Sequence, residues 1–146
     1  MRGGGGSVPE IDRGVLETIR DRLRTAPQIA AAEIVVADGQ TKLEASLAAA
    51  ATPAGIERRF LDIRWYTNDD FRIHYQEDWE DRTWRQRWDR HPNAHNSRDH
   101  FHPPPDAAAP GEDHTWPTAF QAVLERVVDD VRTRTETLWQ AVEDNE

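Results

Sequence analysis

The chain has no cysteine. That removes disulfides, thiolate metal ligands and a cysteine nucleophile from the chemistry open to it. Lysine is almost absent too: Lys42 is the single lysine among 18 basic side chains. Net positive charge is also lacking, since 27 acidic side chains leave the chain at −9. Such a balance argues against indiscriminate binding to nucleic acid or to an acidic membrane surface. No apolar run approaches the roughly 18 residues of a membrane span. The Gly-rich start, Met1 to Ser7, has no apolar signal region. A cytoplasmic protein with no membrane association is the expectation. Acidic excess with so little lysine suits a GC-rich halophile, whose proteins stay hydrated through their carboxylates.

What is present fits one ordinary domain with a thin core: 146 residues, 37% hydrophobic and 31% charged. Residues 1–7 read as a flexible tail and 8–146 as a single α+β domain. Val8 to Arg24 carries Ile11, Val15, Leu16, Ile19 and Leu23 at three- and four-residue steps. That spacing predicts a helix with Pro9 in its first turn and Ser7 as its cap. Two alternating runs follow, Ala32 to Val36 and Leu43 to Ala49, joined by the hairpin signal Asp38-Gly39. The alanines at 48 to 51 suit either a strand end or a helix. Three more runs alternate: Leu61-Ile63-Trp65, Phe71-Ile73-Tyr75 and Thr83-Arg85-Arg87 with Trp84 and Trp88. Turns are expected at Thr67 to Asp70 and at the acidic stretch Glu77 to Asp81. The pattern predicts an antiparallel β-meander of about five strands. From Asp89 to Thr115 prolines break the periodicity into a long His/Pro-rich loop. Phe120 to Val142 forms one apolar helical stripe, capped by Thr115 or Thr118 and packed on the sheet.

Charge is unevenly spread. Arg82 to His102 holds five arginines against Asp89 and Asp99, whereas residues 103–146 sum to −7. If the apolar residues of the three middle strands face the core, alternation puts Arg64, Arg72, His74, Arg85 and Arg87 together on the other face. Either that face attracts anions, or it is a solvated surface ion-paired to Asp62, Asp89 or Asp99. Trp84 and Trp88 read as strand residues of the core, and Trp79 and Trp116 as candidates for an exposed stacking surface.

His91, His95, His100 and His102 crowd the loop with Asp89, Asn93, Asn96, Arg98 and Asp99. Three readings fit. Imidazoles can hold a transition metal, and His100 and His102 would share a face in extended chain. They can act as general acid and base near neutral pH. They can also be structural, satisfying backbone groups and packing on Trp rings. Metal-free RNA cleavage would need a base, an acid and a cation, all of which His and Arg supply without a cofactor.

The segments Ile73-His74-Tyr75-Gln76, Arg87-Trp88-Asp89-Arg90-His91-Pro92-Asn93-Ala94-His95 and Arg98-Asp99-His100-Phe101-His102 resemble the TumE-like toxins of prokaryotic type II toxin–antitoxin pairs. Those proteins carry an aromatic-His-aromatic-Gln strand, a strand ending in Arg-aromatic-Asp, and a Pro/His-rich loop ending in clustered histidines. The loop here departs from the family's usual Asn-Ala-Pro-His-His order, which leaves the alignment of His91 and His95 with the family's histidines open. The resemblance implies a small toxin neutralised by an antitoxin, often a helix-turn-helix protein. RNA as the target follows by analogy with other small toxins. On that reading, an endoribonuclease needing no metal or other cofactor, His74, His100 and His102 are the catalytic candidates. Arg64, Arg72, Arg85, Arg87 and Arg98 are the nucleic-acid contacts. The alternatives are a non-catalytic module that binds nucleic acid or protein, and a metal-dependent enzyme built on the His loop.

Overall fold

The structure, a computed structural model, describes residues 9–91 and 98–145. Helix α1 (Arg13–Leu23) precedes strands β1 (Ile29–Ala37) and β2 (Gln40–Leu47) and a 3₁₀ turn at Ala49–Ala51. Strands β3 (Ile56–Trp65), β4 (Phe71–Trp79), β5 (Thr83–Arg90), β6 (Asp99–His102) and β7 (Glu112–Asp113) follow, then helix α2 (Phe120–Asp144). The strands form one sheet in sequence order, each antiparallel to the next. The α+β meander between two helices is as expected, with seven strands rather than about five. The extra two lie in the Pro-rich stretch, where each is too short to show a period.

Asp38 (φ 53°) and Gly39 (φ 77°) both take the left-handed conformation that a two-residue hairpin turn demands. Alternation then sets the faces. Leu43 and Ala45, Leu61, Ile63 and Trp65, Phe71, Ile73 and Tyr75, and Trp88 are all buried. Leu16, Ile19 and Leu23 of α1 and Val123, Leu124, Val127 and Val131 of α2 join the same cluster. Trp65 stacks on Phe71 with centroids 4.8 Å apart and meets Phe120 edge-on. Both helices therefore bury their apolar stripes on one side of the sheet.

Polar ties fix α2 over the middle strands. Trp88 Nε1 donates to Asp130 at 3.1 Å. Arg134 clamps both oxygens of Glu77 at 2.7 and 2.8 Å, and Tyr75 and Trp79 donate to the same carboxylate. Arg59, itself buried, donates to the Tyr75 hydroxyl and to Thr135 of α2. A buried carboxylate is tolerable only when its lone pairs are occupied in this way.

Three boundaries differ from expectation. Helix α1 begins at Arg13, with Asp12 accepting from the Val15 amide. Pro9, Glu10 and Ile11 lie outside it: Ile11 bridges to Tyr66, and the Glu10 carbonyl accepts from Thr67. The expected turn at Glu77 is wrong, because β4 continues to Trp79 and points Glu77 into the core. Ala119 occupies the N-cap of α2 with no side-chain bond, so neither Thr115 nor Thr118 caps it.

Candidate functional site

The sheet face away from the helices gathers the arginine and imidazole side chains. Cross-strand pairs set Arg64 opposite Arg72, Asp62 opposite His74, His74 opposite Arg87 and Gln76 opposite Arg85. Strand β6 extends the face, with His102 opposite Arg87 and His100 opposite Asp89. Neighbouring strands lie about 5 Å apart, so these side chains sit side by side. Arg64, Arg72, His74, Arg87 and Asp62 line a depression of about 200 Å³. Asp62 is already engaged by Lys42 at 3.0 Å, which leaves the depression dominated by arginine.

His74 has a defined tautomer. Gln76 donates from its amide nitrogen to Asp78 at 2.6 Å, which turns its oxygen towards His74 Nε2 at 2.9 Å. Nε2 therefore bears the proton and Nδ1 the lone pair. Burial lowers the imidazole's pKa most; the Gln76 bond opposes this, the Arg87 charge adds to it, and the net direction is down. At neutral pH the ring is thus a neutral base rather than a cation.

Beside the arginines on the same face, where the Pro-rich loop covers it, lies a second cluster centred on Asp89, which is fully buried. Its Oδ2 is 2.8 Å from His102 Nε2, 3.2 Å from Arg87 Nε and 3.5 Å from His91 Nε2, and its Oδ1 is 3.8 Å from Arg72 Nε. His100 and His102 are 0% and 4% exposed. The His100 ring meets those of His91 and His102 edge-on, at centroid distances of 4.9 and 6.2 Å. His102 Nδ1 lies 3.0 Å from the Ala108 carbonyl. Burial lowers the His102 pKa against the raising effects of Ala108 and Asp89, with a net fall.

The expected residues thus separate. Arg64, Arg72, His74 and Arg87 come together on the open face. Arg85 borders them beside the Pro-rich loop, its amide donating to Pro105 at 2.7 Å. His100 and His102 belong to the buried Asp89 cluster. Arg98 is elsewhere, paired with Asp70 and reaching the Asn68 carbonyl. Asp99 faces the core side, bound by Arg90 and by the Trp116 amide. Trp116 is buried, not exposed for stacking. Trp79 is partly buried, with the Arg82 guanidinium 4.1 Å above its ring. His95 lies outside the described residues.

A family model described as Toxin TumE matches residues 19–135. The chain belongs to the TumE toxin family. No curated protein and no solved structure matches it significantly. The TumE match runs from within α1 to within α2 and takes in every residue of the open face and of the Asp89 cluster. No helix among the described residues is long and apolar enough to cross a membrane.

Asp89 is the residue whose centrality the sequence reading missed. Continuing the Arg85–Arg87 alternation two residues further puts it on the same face, and His100-Phe101-His102 is a matching alternation on the partner strand. The signal was there, but a proline three residues on made the strand seem to end early.

Proposed function

We propose that this TumE-family chain is the toxin of a toxin–antitoxin pair and that it cleaves RNA on the arginine-lined sheet face. One observation carries the reading: a neutral histidine with a fixed tautomer sits among Arg64, Arg72 and Arg87 on rigid strands, in a chain that is otherwise acidic. His74 Nδ1 takes the proton of a ribose 2′-hydroxyl. The freed oxygen attacks the adjacent phosphorus, the bond to the 5′ oxygen breaks, and a 2′,3′-cyclic phosphate remains. The departing 5′ oxygen takes a proton from water. The guanidiniums offset the charge that builds on the phosphoryl oxygens, with paired N–H groups matched to a phosphate's geometry. His100 and His102 are too buried to meet RNA lying on that surface. The partner that silences the chain is an antitoxin, read here as a helix-turn-helix protein that covers the basic face.

Controlled expression in a growing host tests this. His74→Ala and Arg87→Ala should each lift growth arrest while keeping the wild-type circular dichroism spectrum. RNA from arrested cells should carry new 2′,3′-cyclic ends. A fully toxic His74→Ala protein would overturn the proposed chemistry.

A further inference from the structure

We propose that Asp89, His100 and His102 form a binding site for one divalent transition-metal ion, of the class that takes imidazole and carboxylate ligands. Their ligand atoms lie within 4.8 Å of one another, and all three residues are buried. The site lies between β5 and β6, beside the arginines on the same sheet face, where cross-strand pairing sets His100 against Asp89.

Three unmet polar demands point into this space. Among the described residues neither ring nitrogen of His100 has a hydrogen-bond partner, and neither does Asp89 Oδ1, whose nearest cation is Arg72 Nε at 3.8 Å. A neutral imidazole offers one donor and one acceptor, and burying both unused is unfavourable. The third demand is at His102. Its Nδ1 faces a carbonyl, Ala108 O, so that nitrogen carries the proton and Nε2 presents a lone pair. That lone pair sits 2.8 Å from Asp89 Oδ2, another acceptor. A proton on Nε2 would reconcile the two, yet Nε2 makes no properly directed hydrogen bond. A cation shared by His102 Nε2, the Asp89 carboxylate and one His100 nitrogen gives each of the three residues a partner.

The surroundings have the form of a metal site's outer shell. A ligating histidine typically donates its other N–H to a carbonyl, and a ligating carboxylate is itself hydrogen-bonded. His102 does the first, and Asp89 has the second from Arg87 Nε. Metal–nitrogen and metal–oxygen bonds of about 2.0–2.2 Å put neighbouring ligand atoms roughly 3.3 Å apart, within the spread found here. With no cysteine in the chain, an imidazole–carboxylate set selects zinc, nickel, cobalt or iron over thiolate-seeking metals. His91 Nε2 lies 3.5 Å from Asp89 Oδ2 on a partly exposed side chain, next to this cluster. Arg72 and Arg87 oppose a second cation, so the ion's hold depends on both imidazoles.

The test is metal content and titration of the purified full chain, neither of which reads toxicity or RNA. Plasma mass spectrometry should find about one ion per chain. Co²⁺ added to stripped protein should give visible d–d bands and raise the melting temperature. His100→Ala and His102→Ala should each lose at least tenfold in Co²⁺ affinity, whereas Arg64→Ala should bind like wild type. A wild-type chain that takes up no Zn²⁺, Co²⁺, Ni²⁺ or Fe²⁺ overturns the site, and this needs no variant to fold. Undiminished binding in both His variants overturns it equally. A chain that takes up no metal yet cleaves RNA refutes only this site, and a chain that binds metal but stays fully toxic as His74→Ala refutes only the RNA reading.

Discussion

Gly111 has a φ of +91°, and a Cβ built on it would lie 2.9 Å from His102 Cε1. Any side chain there is strained by its own backbone and pushes the imidazole out of its place beside Asp89. Gly111→Ala should cost about 2 kcal/mol, read as a lower denaturant midpoint, and should weaken metal binding. His74 gives a second residue-scale prediction. Replacing Gln76 with Leu removes the acceptor that fixes its tautomer, so toxicity should fall although no charge changes. His74 and its arginine neighbours were legible from alternation alone, because each strand there is long and its inward residues are large and apolar. The division of labour among the histidines was not legible. Spacing says that His100 and His102 share a face, but whether that face is open depends on a loop that returns to seat Ala108 and Gly111 on the His102 ring.

Strand β4 and helix α2 meet through Glu77 and Arg134. Arg134→Met leaves a buried carboxylate without its main partner, and a loss of about 3–5 kcal/mol is expected. Adding Glu77→Gln to that variant should restore much of it. Burial alone would push the Glu77 carboxyl up, but the bonds from Arg134, Tyr75 and Trp79 outweigh it and its pKa is lowered from 4.5. Its contribution to stability is therefore present above about pH 4.5 and is lost as pH falls through the depressed folded value. Urea midpoints measured from pH 6 to pH 3 should drop more for wild type than for the double variant. Sequence reading put a turn here because Glu77-Asp78-Trp79-Glu80-Asp81 has turn-like composition, and the arginine that makes Glu77 a core residue is 57 positions away. The start of α1 was missed for a similar reason. Ile11 continues the helical spacing, yet it bridges to Tyr66 and its neighbours are tied to the end of β3, the Asp12 amide donating to the Trp65 carbonyl and the Glu10 carbonyl accepting from the Thr67 amide.

Across the whole molecule, a net charge of −9 coexists with an arginine face. RNA should therefore bind in one orientation and weakly at a distance, with contacts to about four phosphates. The expected log–log slope of affinity against salt is about −3 for a single strand, and Arg64→Ala, Arg72→Ala and Arg87→Ala should each make it shallower by about 0.7. A flat salt profile would mean that the face does not bind RNA.

Helix α2 follows every strand in chain order and supplies the cover for Trp65, Tyr75 and Trp88. During synthesis the meander can pair strand by strand as it emerges, with α1 already there to cover part of its apolar side, but the cover over the middle strands is missing until α2 has left the ribosome. The strands that hold the arginines in register gain their rigidity last. The arginine face is therefore complete only after α2 has been made, and a partner protein made alongside has that interval in which to arrive.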